Sequence, residues 1–237
     1  MPRIAVFASG GGTNLQSLLD HFNARSHPSV RVGLVVSDRA DAGALERARA
    51  AGVATRVIAA RGRAADDIAT ELLAALADAG IDIIALAGYL RLVPERVVQR
   101  FRGRIVNIHP ALLPSFGGKG MYGIRVHRAV LEAGCFVSGV TVHHVDERYD
   151  EGRPIAQWPV PVLRGDTPES LAARVLRIEH RIYPLALEAL AMALGRDGER
   201  TDRGWAGHDP AAFDWNDQDA PRDAVLRRGL GLDGEAT

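Results

Sequence analysis

Cysteine and lysine are almost absent from this sequence, which contains one of each, Cys135 and Lys119. A single cysteine excludes an intramolecular disulfide and a zinc site built from several thiolates, and it favours a reducing compartment. Charge of one sign is lacking too, because 29 basic residues are balanced by 29 acidic residues. Without a large field of one sign the chain is a poor candidate for holding a polyanion, so we expect no nucleic-acid partner.

Long hydrophobic runs are missing as well. No uncharged run approaches the roughly 20 residues that span a bilayer, and the apolar run within residues 1–8 is too short for a signal-peptide core. We therefore expect a cytoplasmic protein with no membrane partner, and no pattern indicates an oligomeric state. The 237 residues, 47% of them hydrophobic, suffice for one large domain or one domain with an appendage.

Short apolar, β-branched runs alternate with segments of helical period over the first half of the chain. Strands separated by helices favour right-handed crossovers and a parallel sheet covered on both faces. After residue 135 two extended runs follow each other without a helix, which favours an antiparallel addition. The sequence thus predicts an α/β fold with an open, mostly parallel, doubly wound sheet. The predicted strands are 3–8, 30–36, 53–58, 81–87, 104–107, 137–145 and 154–162, and the predicted helices are 14–22, 42–51, 64–79 and 168–194. Gly80 is a suitable left-handed stop for the helix over 64–79.

The last predicted helix begins with a hydroxyl N-cap, Thr167, followed by Pro168 at its first position. Pro184 is expected to kink or break this helix, because proline lacks the N–H that a helix interior needs. Towards the C terminus the chain becomes polar and glycine-rich. We predict a main domain over residues 1–195 and a polar, peripheral appendage over residues 196–237.

A glycine-rich loop, residues 9–14, connects the first predicted strand to the first helix. Backbone N–H groups converge there with the positive end of the helix dipole, so such a loop can bind phosphate. The alternative is a tight turn that needs glycine for its conformation alone. Gly10 and Gly12 match the start of a dinucleotide fingerprint, but Leu15 occupies the place of the third glycine, which argues against an oxidoreductase.

Asn107 and His109 follow a predicted central strand and, being two residues apart, can face the same way. Ligands of open α/β sheets bind at the carboxyl ends of the strands. An amide donor beside an imidazole suits the polarisation of a carbonyl group and the stabilisation of the oxyanion that develops on it. The alternative is a pair of polar residues that only cap a loop.

His143 and His144 are adjacent on a predicted strand and point to opposite faces, so at most one can join His109 in a site. Asp150 lies in the loop that follows. It can orient an imidazole and hold it protonated through a charge-assisted hydrogen bond. Two histidines and a carboxylate also suit a metal ion, although spacing alone supports that alternative only weakly.

Four segments, taken together and in order, resemble the phosphoribosylglycinamide formyltransferases of purine synthesis: residues 9–16, 86–91, 107–114 and 139–150. The third segment is typical of folate-dependent formyl transferases as a class. The glycine loop narrows the resemblance to the members of this class that act on the ribonucleotide. It implies a Rossmann-like formyltransferase fold, with a catalytic domain over residues 1–195. It also implies transfer of a formyl group from 10-formyltetrahydrofolate to the glycine amine of 5-phosphoribosylglycinamide, through a tetrahedral intermediate.

The resemblance assigns roles to individual residues. It implies that Asn107 and a protonated His109 stabilise the oxyanion, that His109 moves the proton, and that Asp150 supports this histidine. The cosubstrate it implies is 10-formyltetrahydrofolate, and it implies no metal. The implied phosphate and ribose contacts are Gly11, Gly12, Thr13, Asn14 and Glu179; the implied folate contacts are Leu90, Arg91, Leu92, Val93 and Asn107; and the supporting candidates are His143 and Lys119.

The sequence departs from the family at a ligand-binding arginine, whose place is taken by Ala65. Either Arg61 or Arg63 is a candidate to replace it, and the sequence does not choose between them.

Two other functions remain as alternatives. The first is hydrolysis of the same formyl folate by a deformylase, but related deformylases carry an N-terminal regulatory domain, whereas the first strand here begins at residue 3. The second is a non-catalytic module that binds a phosphometabolite, which would leave Asn107, His109 and Asp150 without a joint task.

Overall fold

Strands and helices alternate along the part of the chain that the structure describes. This computed structural model describes residues 1–24, 27, 30–197, 227, 230 and 232. Its strands are β1 (Arg3–Phe7), β2 (Arg31–Ser37), β3 (Ala54–Val57), β4 (Ile83–Leu86), β5 (Ile105–His109), β6 (Val137–His144) and β7 (Pro154–Pro161). Its helices are α1 (Thr13–Leu19), which continues into a π-helical turn (Asp20–Ala24), α2 (Gly43–Ala50), α3 (Ala65–Asp78), α4 (Glu95–Arg100), α5 (Ile124–Glu132) and α6 (Pro168–Asp197).

The seven strands form one sheet in the order β3-β2-β1-β4-β5-β6-β7. Strands β1 to β5 pair in parallel, whereas β6 pairs antiparallel with both β5 and β7. The predicted fold class, a mostly parallel doubly wound sheet with an antiparallel addition, is therefore confirmed. The strand order reverses between β1 and β4, and open sheets of this kind bind ligands at the carboxyl ends of the strands beside such a point.

Both faces of the sheet are covered by helices. In β1, Ile4 and Val6 face a core completed by α1, α2, α5 and α6, whereas Ala5 and Phe7 face a second core completed by α3 and α4. Successive side chains of a strand point to opposite faces, so a central strand with two buried faces is apolar throughout. This explains why these strands are continuous hydrophobic runs in the sequence.

Two helix ends have the chemistry that the sequence predicts. At the start of α6, the Ser170 N–H donates to the Thr167 hydroxyl at 3.2 Å, and the Thr167 N–H donates to the Ser170 hydroxyl at 3.0 Å. At the end of α3, Gly80 has a φ of 60°. The N–H groups of Gly80 and Ile81 donate to the carbonyls of Ala77 and Leu76, which is a Schellman motif.

Three features differ from the sequence predictions. Helices α4 and α5 were not predicted; six and nine residues are too short for a helical period to stand out. Pro184 does not break α6, which continues to Asp197. The neighbouring Tyr183 is fully buried, and its hydroxyl donates to the carbonyls of Leu86 and Val106, so contacts with the sheet hold the helix where proline removes a hydrogen bond.

Most of the predicted appendage, including Trp205 and Trp215, lies outside the described residues. Leu230 and Leu232 are described; both are buried and pack into the core on the α6 side of the sheet. Of the helices in the described ranges, none is long and apolar enough to cross a membrane.

Candidate active site

The loops at the carboxyl ends of the central strands meet around a cavity of about 410 Å³. Its walls come from α1, from the loops after β4, β5 and β6, from the segment before α5, and from α6. This volume is in the range of small-molecule sites. The site residues predicted from the sequence that line it are Asn14, Leu90, Arg91, Leu92, Val93, Asn107, His109, His143, Asp150 and Glu179.

Asn107 lies at the centre of a polar network. Its Nδ2 is 3.1 Å from Nε2 of His143 and 3.5 Å from Oδ1 of Asp150. Nδ1 of His143 is 2.8 Å from the carbonyl oxygen of His144, which can only accept, so Nδ1 carries a proton. The contact of Asn107 with Asp150 is at the long limit of a hydrogen bond, so this N–H is available to a ligand.

His109 is buried at the end of β5, and both of its ring nitrogens face acceptors. Nε2 lies 2.8 Å from the carbonyl oxygen of Phe116, and Nδ1 lies 3.7 Å from Oδ2 of Asp150. Burial lowers the pKa of His109 below its ordinary value, although Asp150 and the Phe116 carbonyl act in the opposite direction. Asp150 therefore favours the protonated imidazole, but burial has the larger effect, so the structure does not bear out the prediction that Asp150 holds His109 protonated.

Asp150 is held in a strained conformation. Its φ is 56°, a left-handed value that non-glycine residues rarely adopt, and Phe116, which contacts the same histidine, has a φ of 57°. The N–H of Gly118 donates to Oδ2 at 2.9 Å. Burial raises the pKa of Asp150, but the contacts with His143, His109 and Gly118 outweigh it and leave this pKa below its ordinary value. Asp150 is thus a fixed negative charge beside two imidazoles.

Asn14 and Glu179 form a second polar pair in the same cavity, contributed by α1 and α6. Nδ2 of Asn14 donates to Oε2 of Glu179 at 2.7 Å, while Oδ1 of Asn14 is buried with no hydrogen-bond partner among the described residues. Burial raises the pKa of Glu179 to about 7, against the opposing effect of the Asn14 hydrogen bond. A buried acceptor without a partner and a carboxyl poised near neutrality suit recognition of a hydroxyl-bearing ligand.

The raised pKa of Glu179 makes a prediction for stability. A carboxyl whose folded pKa exceeds its unfolded value stabilises the fold at low pH, and this contribution is lost as pH rises from about 4.5 to about 7. We expect Glu179→Gln to raise the free energy of unfolding by about 3 kcal/mol at pH 8 and to leave it unchanged near pH 4. Urea unfolding at both pH values measures the difference. A glutamine variant no more stable than wild type at pH 8 would contradict the assignment.

Asp38 connects three loops beneath the cavity. Its Oδ1 accepts a 2.5 Å hydrogen bond from the Ser9 hydroxyl, and its Oδ2 lies 2.9 Å from Nε of Arg91. The Ser9 hydroxyl in turn accepts the N–H of Leu90 at 3.0 Å. The sequence alone assigns no role to Asp38. Its position at the carboxyl end of β2, next to β1, was the available signal for this role.

The glycine loop is shaped by close packing at one glycine. Gly12 has a φ of 74°, and a Cβ atom placed on it would lie 2.7 Å from Cα of Ala44. The carbonyl of Gly11 accepts from Nε of Arg47 at 2.8 Å. Thr13 lines a separate cavity of about 750 Å³ together with Arg47, His180 and other residues. The predicted phosphate loop therefore contacts two cavities, Asn14 on one side and Thr13 on the other.

We expect Gly12→Ala to destabilise the protein by about 2–4 kcal/mol, because the new methyl group meets Ala44 and strains a left-handed backbone. Gly10→Ala is the matched control, since nothing lies within 4 Å of its Cβ position. Its expected cost is below about 1 kcal/mol. Denaturant unfolding of both variants measures the difference, and equal stabilities would refute this account of the loop.

Several predicted residues do not line the main cavity. Lys119 is exposed between Gly118 and Gly120, which do line it. Arg61 is exposed as well, and Arg63 pairs with Glu71 at 2.8 Å on the surface of α3. Gly11 and Gly12 form the loop backbone without lining either cavity described above. Their roles as ligand contacts stay predictions.

Sequence reasoning did not consider His127. It is buried on α5. Burial lowers its pKa, and the charge of His109 lowers this pKa further. No sequence pattern identifies His127 as a site residue, because a histidine on the buried face of a short amphipathic helix is indistinguishable in sequence from a core residue.

The fold is that of an α/β enzyme, and the ends of its strands hold an amide, two imidazoles and a carboxylate around one cavity. Comparison with known proteins identifies the family: the model of the family described as Formyl transferase matches residues 2–187 of this chain. The chain belongs to the formyl transferase family, and a folate-type formyl donor is what this family implies.

Relatives within the family confirm the resemblance seen in the sequence. The chloroplastic phosphoribosylglycinamide formyltransferase of Arabidopsis thaliana is 48% identical over 76% of this chain and 62% of its own length. The phosphoribosylglycinamide formyltransferase of Haemophilus influenzae is 37% identical over 79% of this chain and 86% of its own length. The chain thus spans less than two thirds of the plant relative and most of the bacterial one.

A solved structure shares both the fold and much of the sequence. Glycinamide ribonucleotide transformylase 1 from Symbiobacterium toebii superposes with a TM-score of 0.75 at 45% identity, covering 81% of this chain and 89% of that structure.

Proposed function

We propose that this chain transfers the formyl group of 10-formyltetrahydrofolate to the glycine amine of 5-phosphoribosylglycinamide, in the cytoplasm and as a step of purine biosynthesis. The observation that carries the proposal is one cavity in which Asn107, His109 and Asp150 meet the segment 90–93 and the pair formed by Asn14 and Glu179. The names of the relatives support the choice of substrates.

The chemistry follows from the groups in the cavity. The amine attacks the formyl carbon, and negative charge develops on the formyl oxygen. Nδ2 of Asn107 donates to that oxygen with the N–H that otherwise makes only the long contact to Asp150. Protonated His109 donates a second hydrogen bond to that oxygen. It then gives its proton to the leaving nitrogen of the folate and regains one from the attacking amine, which loses a proton as the new amide forms. For this the Nε2–H must exchange the Phe116 carbonyl for the substrate.

Asp150 acts through His109 in this scheme. Its carboxylate lies 3.7 Å from Nδ1, and its charge opposes the effect of burial on the pKa of the imidazole. Binding of a tetrahedral oxyanion adds a second negative charge near the ring and favours protonation further. The imidazole thus gains its proton where the transition state needs it, and no metal ion is required for these steps.

The two ends of the site fit the two substrates. The segment Leu90–Val93 offers backbone groups and apolar side chains to the folate, while Asn14 and Glu179 face the ribose of the acceptor. We expect the phosphate to bind beside Thr13, because Arg47 and Arg181 line the same neighbouring cavity and can contribute positive charge. Small anionic substrates are bound by these local groups, and the zero net charge of the chain does not oppose them.

Consumption of formyl folate, measured with and without 5-phosphoribosylglycinamide, tests the proposal. We expect turnover only with the acceptor, because the site holds the acceptor's amine close to the formyl group whose oxygen Asn107 contacts. Equal consumption without the acceptor identifies a deformylase instead. Calorimetric binding of both substrates without turnover identifies a binding module. Either result overturns the proposed function.

A further inference from the structure

Outside the main cavity, one group of three metal-ligating side chains occurs among the described residues: His21, His27 and Glu188. His21 lies in the π-helical turn after α1, His27 lies beyond that turn, and Glu188 lies on α6. One ligand atom from each residue can be chosen so that all three lie within 4.8 Å of one another. Donors from three separate parts of the chain therefore converge on one point.

The spacing of these donors matches a tetrahedral metal site. Nε2 of His21 lies 3.0 Å from Oε2 of Glu188, and Nε2 of His27 lies 3.5 Å from Oε1. The two imidazole rings are stacked with centroids 5.6 Å apart, so both present Nε2 to the same carboxylate. Zinc bonds to nitrogen and oxygen are about 2.0–2.2 Å long, which places neighbouring ligand atoms of a tetrahedron about 3.3 Å apart.

The cluster is accessible to an ion from solvent. The Glu188 side chain is 5% exposed, whereas those of His21 and His27 are 21% and 16% exposed. His21 also lines the cavity of about 750 Å³, which provides a path for an ion. Two imidazoles and a buried carboxylate are a donor set that zinc prefers, with water completing the coordination.

A guanidinium competes for the same carboxylate. Nη1 and Nη2 of Arg227 lie 3.3 Å from Oε2 and Oε1 of Glu188. A carboxylate has lone pairs for more than one partner, but a dication and a guanidinium on one carboxylate repel each other. The other charged groups that line this cavity are Asp20, Arg47 and Arg181.

We propose that His21, His27 and Glu188 form a binding site for a divalent transition-metal ion of the zinc class, and that Arg227 competes with this ion for Glu188. None of these residues takes part in the proposed formyl transfer, so the site stands or falls independently of that function. The expectation that formyl transfer needs no metal is unaffected.

Zinc binding by the full-length protein tests the proposal. The protein is stripped with a chelator and titrated with Zn²⁺ against a chromophoric competitor at about neutral pH, where imidazole ligands are available. We expect one Zn²⁺ per chain, with affinity reduced about 100-fold in both His21→Ala and Glu188→Gln, because each loses a ligand. His180→Asn, which changes a histidine in the same cavity outside the cluster, is the matched control and should bind like wild type.

Arg227→Ala gives a second test with the opposite sign. Removing the competing guanidinium should tighten Zn²⁺ binding about tenfold, and Zn²⁺ should raise the melting temperature of wild type but not of His21→Ala. Circular dichroism without metal shows whether each variant is folded. No stoichiometric Zn²⁺ binding by wild type or Arg227→Ala, or equal loss in the His180 control, overturns the proposal and leaves an ion-pair cluster only.

Discussion

Replacing His109 by alanine is expected to lower kcat for formyl transfer by about 10³-fold or more, because the variant loses both a donor to the oxyanion and the group that moves the proton. His109 is buried at the end of β5, and its ring contacts Asp150 and the Phe116 carbonyl rather than the apolar core, so the fold should persist. Steady-state kinetics with both substrates, together with circular dichroism, measures both outcomes.

Asn107→Ala is expected to act through the same oxyanion and to lower kcat by about 10²–10³-fold. His144→Asn is the matched control for both variants. His144 is adjacent to His143 in sequence, but its side chain does not line the main cavity, so kcat should stay near the wild-type value. Full activity in the His109 or Asn107 variant would contradict the mechanism, and so would a loss in the His144 control as large as theirs.

Replacing Asp150 by asparagine is expected to lower kcat by about 10²–10³-fold and to change its pH dependence. The carboxylate raises the pKa of His109, so its removal lowers that pKa further, and the limb of the pH–rate profile that reports loss of the His109 proton moves to lower pH. Asparagine tolerates the left-handed φ of 56° at this position, so the substitution removes charge without adding backbone strain.

A merely structural role for Asp150 gives a different result. It would lower stability and kcat together and would leave the alkaline limb of the profile where it is. Measurement of kcat over pH 5 to about 9, beside urea unfolding of the same protein, separates the two. An unshifted limb with reduced activity would contradict the role of Asp150 as a positioning residue for His109.

The architecture was predictable because the central strands consist mainly of apolar residues and the long helices α3 and α6 have apolar faces. Even the end of α3 at Gly80 and the start of α6 at Thr167 followed from residue type. Helices α4 and α5 were missed because six and nine residues give too few turns for a period. The continuity of α6 through Pro184 depends on its contacts with the sheet, which no local rule contains.

The active site was predictable to the extent that its chemistry resides in side-chain types at strand ends. Asn107 and His109 are polar side chains at the end of a predicted strand. Asp150 lies in the loop after β6, and the antiparallel pairing of β6 with β5 brings that loop beside them. The carbonyl of Phe116 could not be found this way, because every residue has a carbonyl. The link from Asp38 to Ser9 is a contact between two loops, which appears only once β1 and β2 are neighbours.

The fate of the formyl group is the most direct test of the proposed reaction. With isotope-labelled formyl folate and 5-phosphoribosylglycinamide in a single turnover, direct transfer places the label on the glycine nitrogen, with one tetrahydrofolate released per product formed. We predict that labelled formate stays at the background level of an Asn107→Ala control. Label recovered chiefly in formate, with the acceptor unmodified, would contradict formyl transfer by this site.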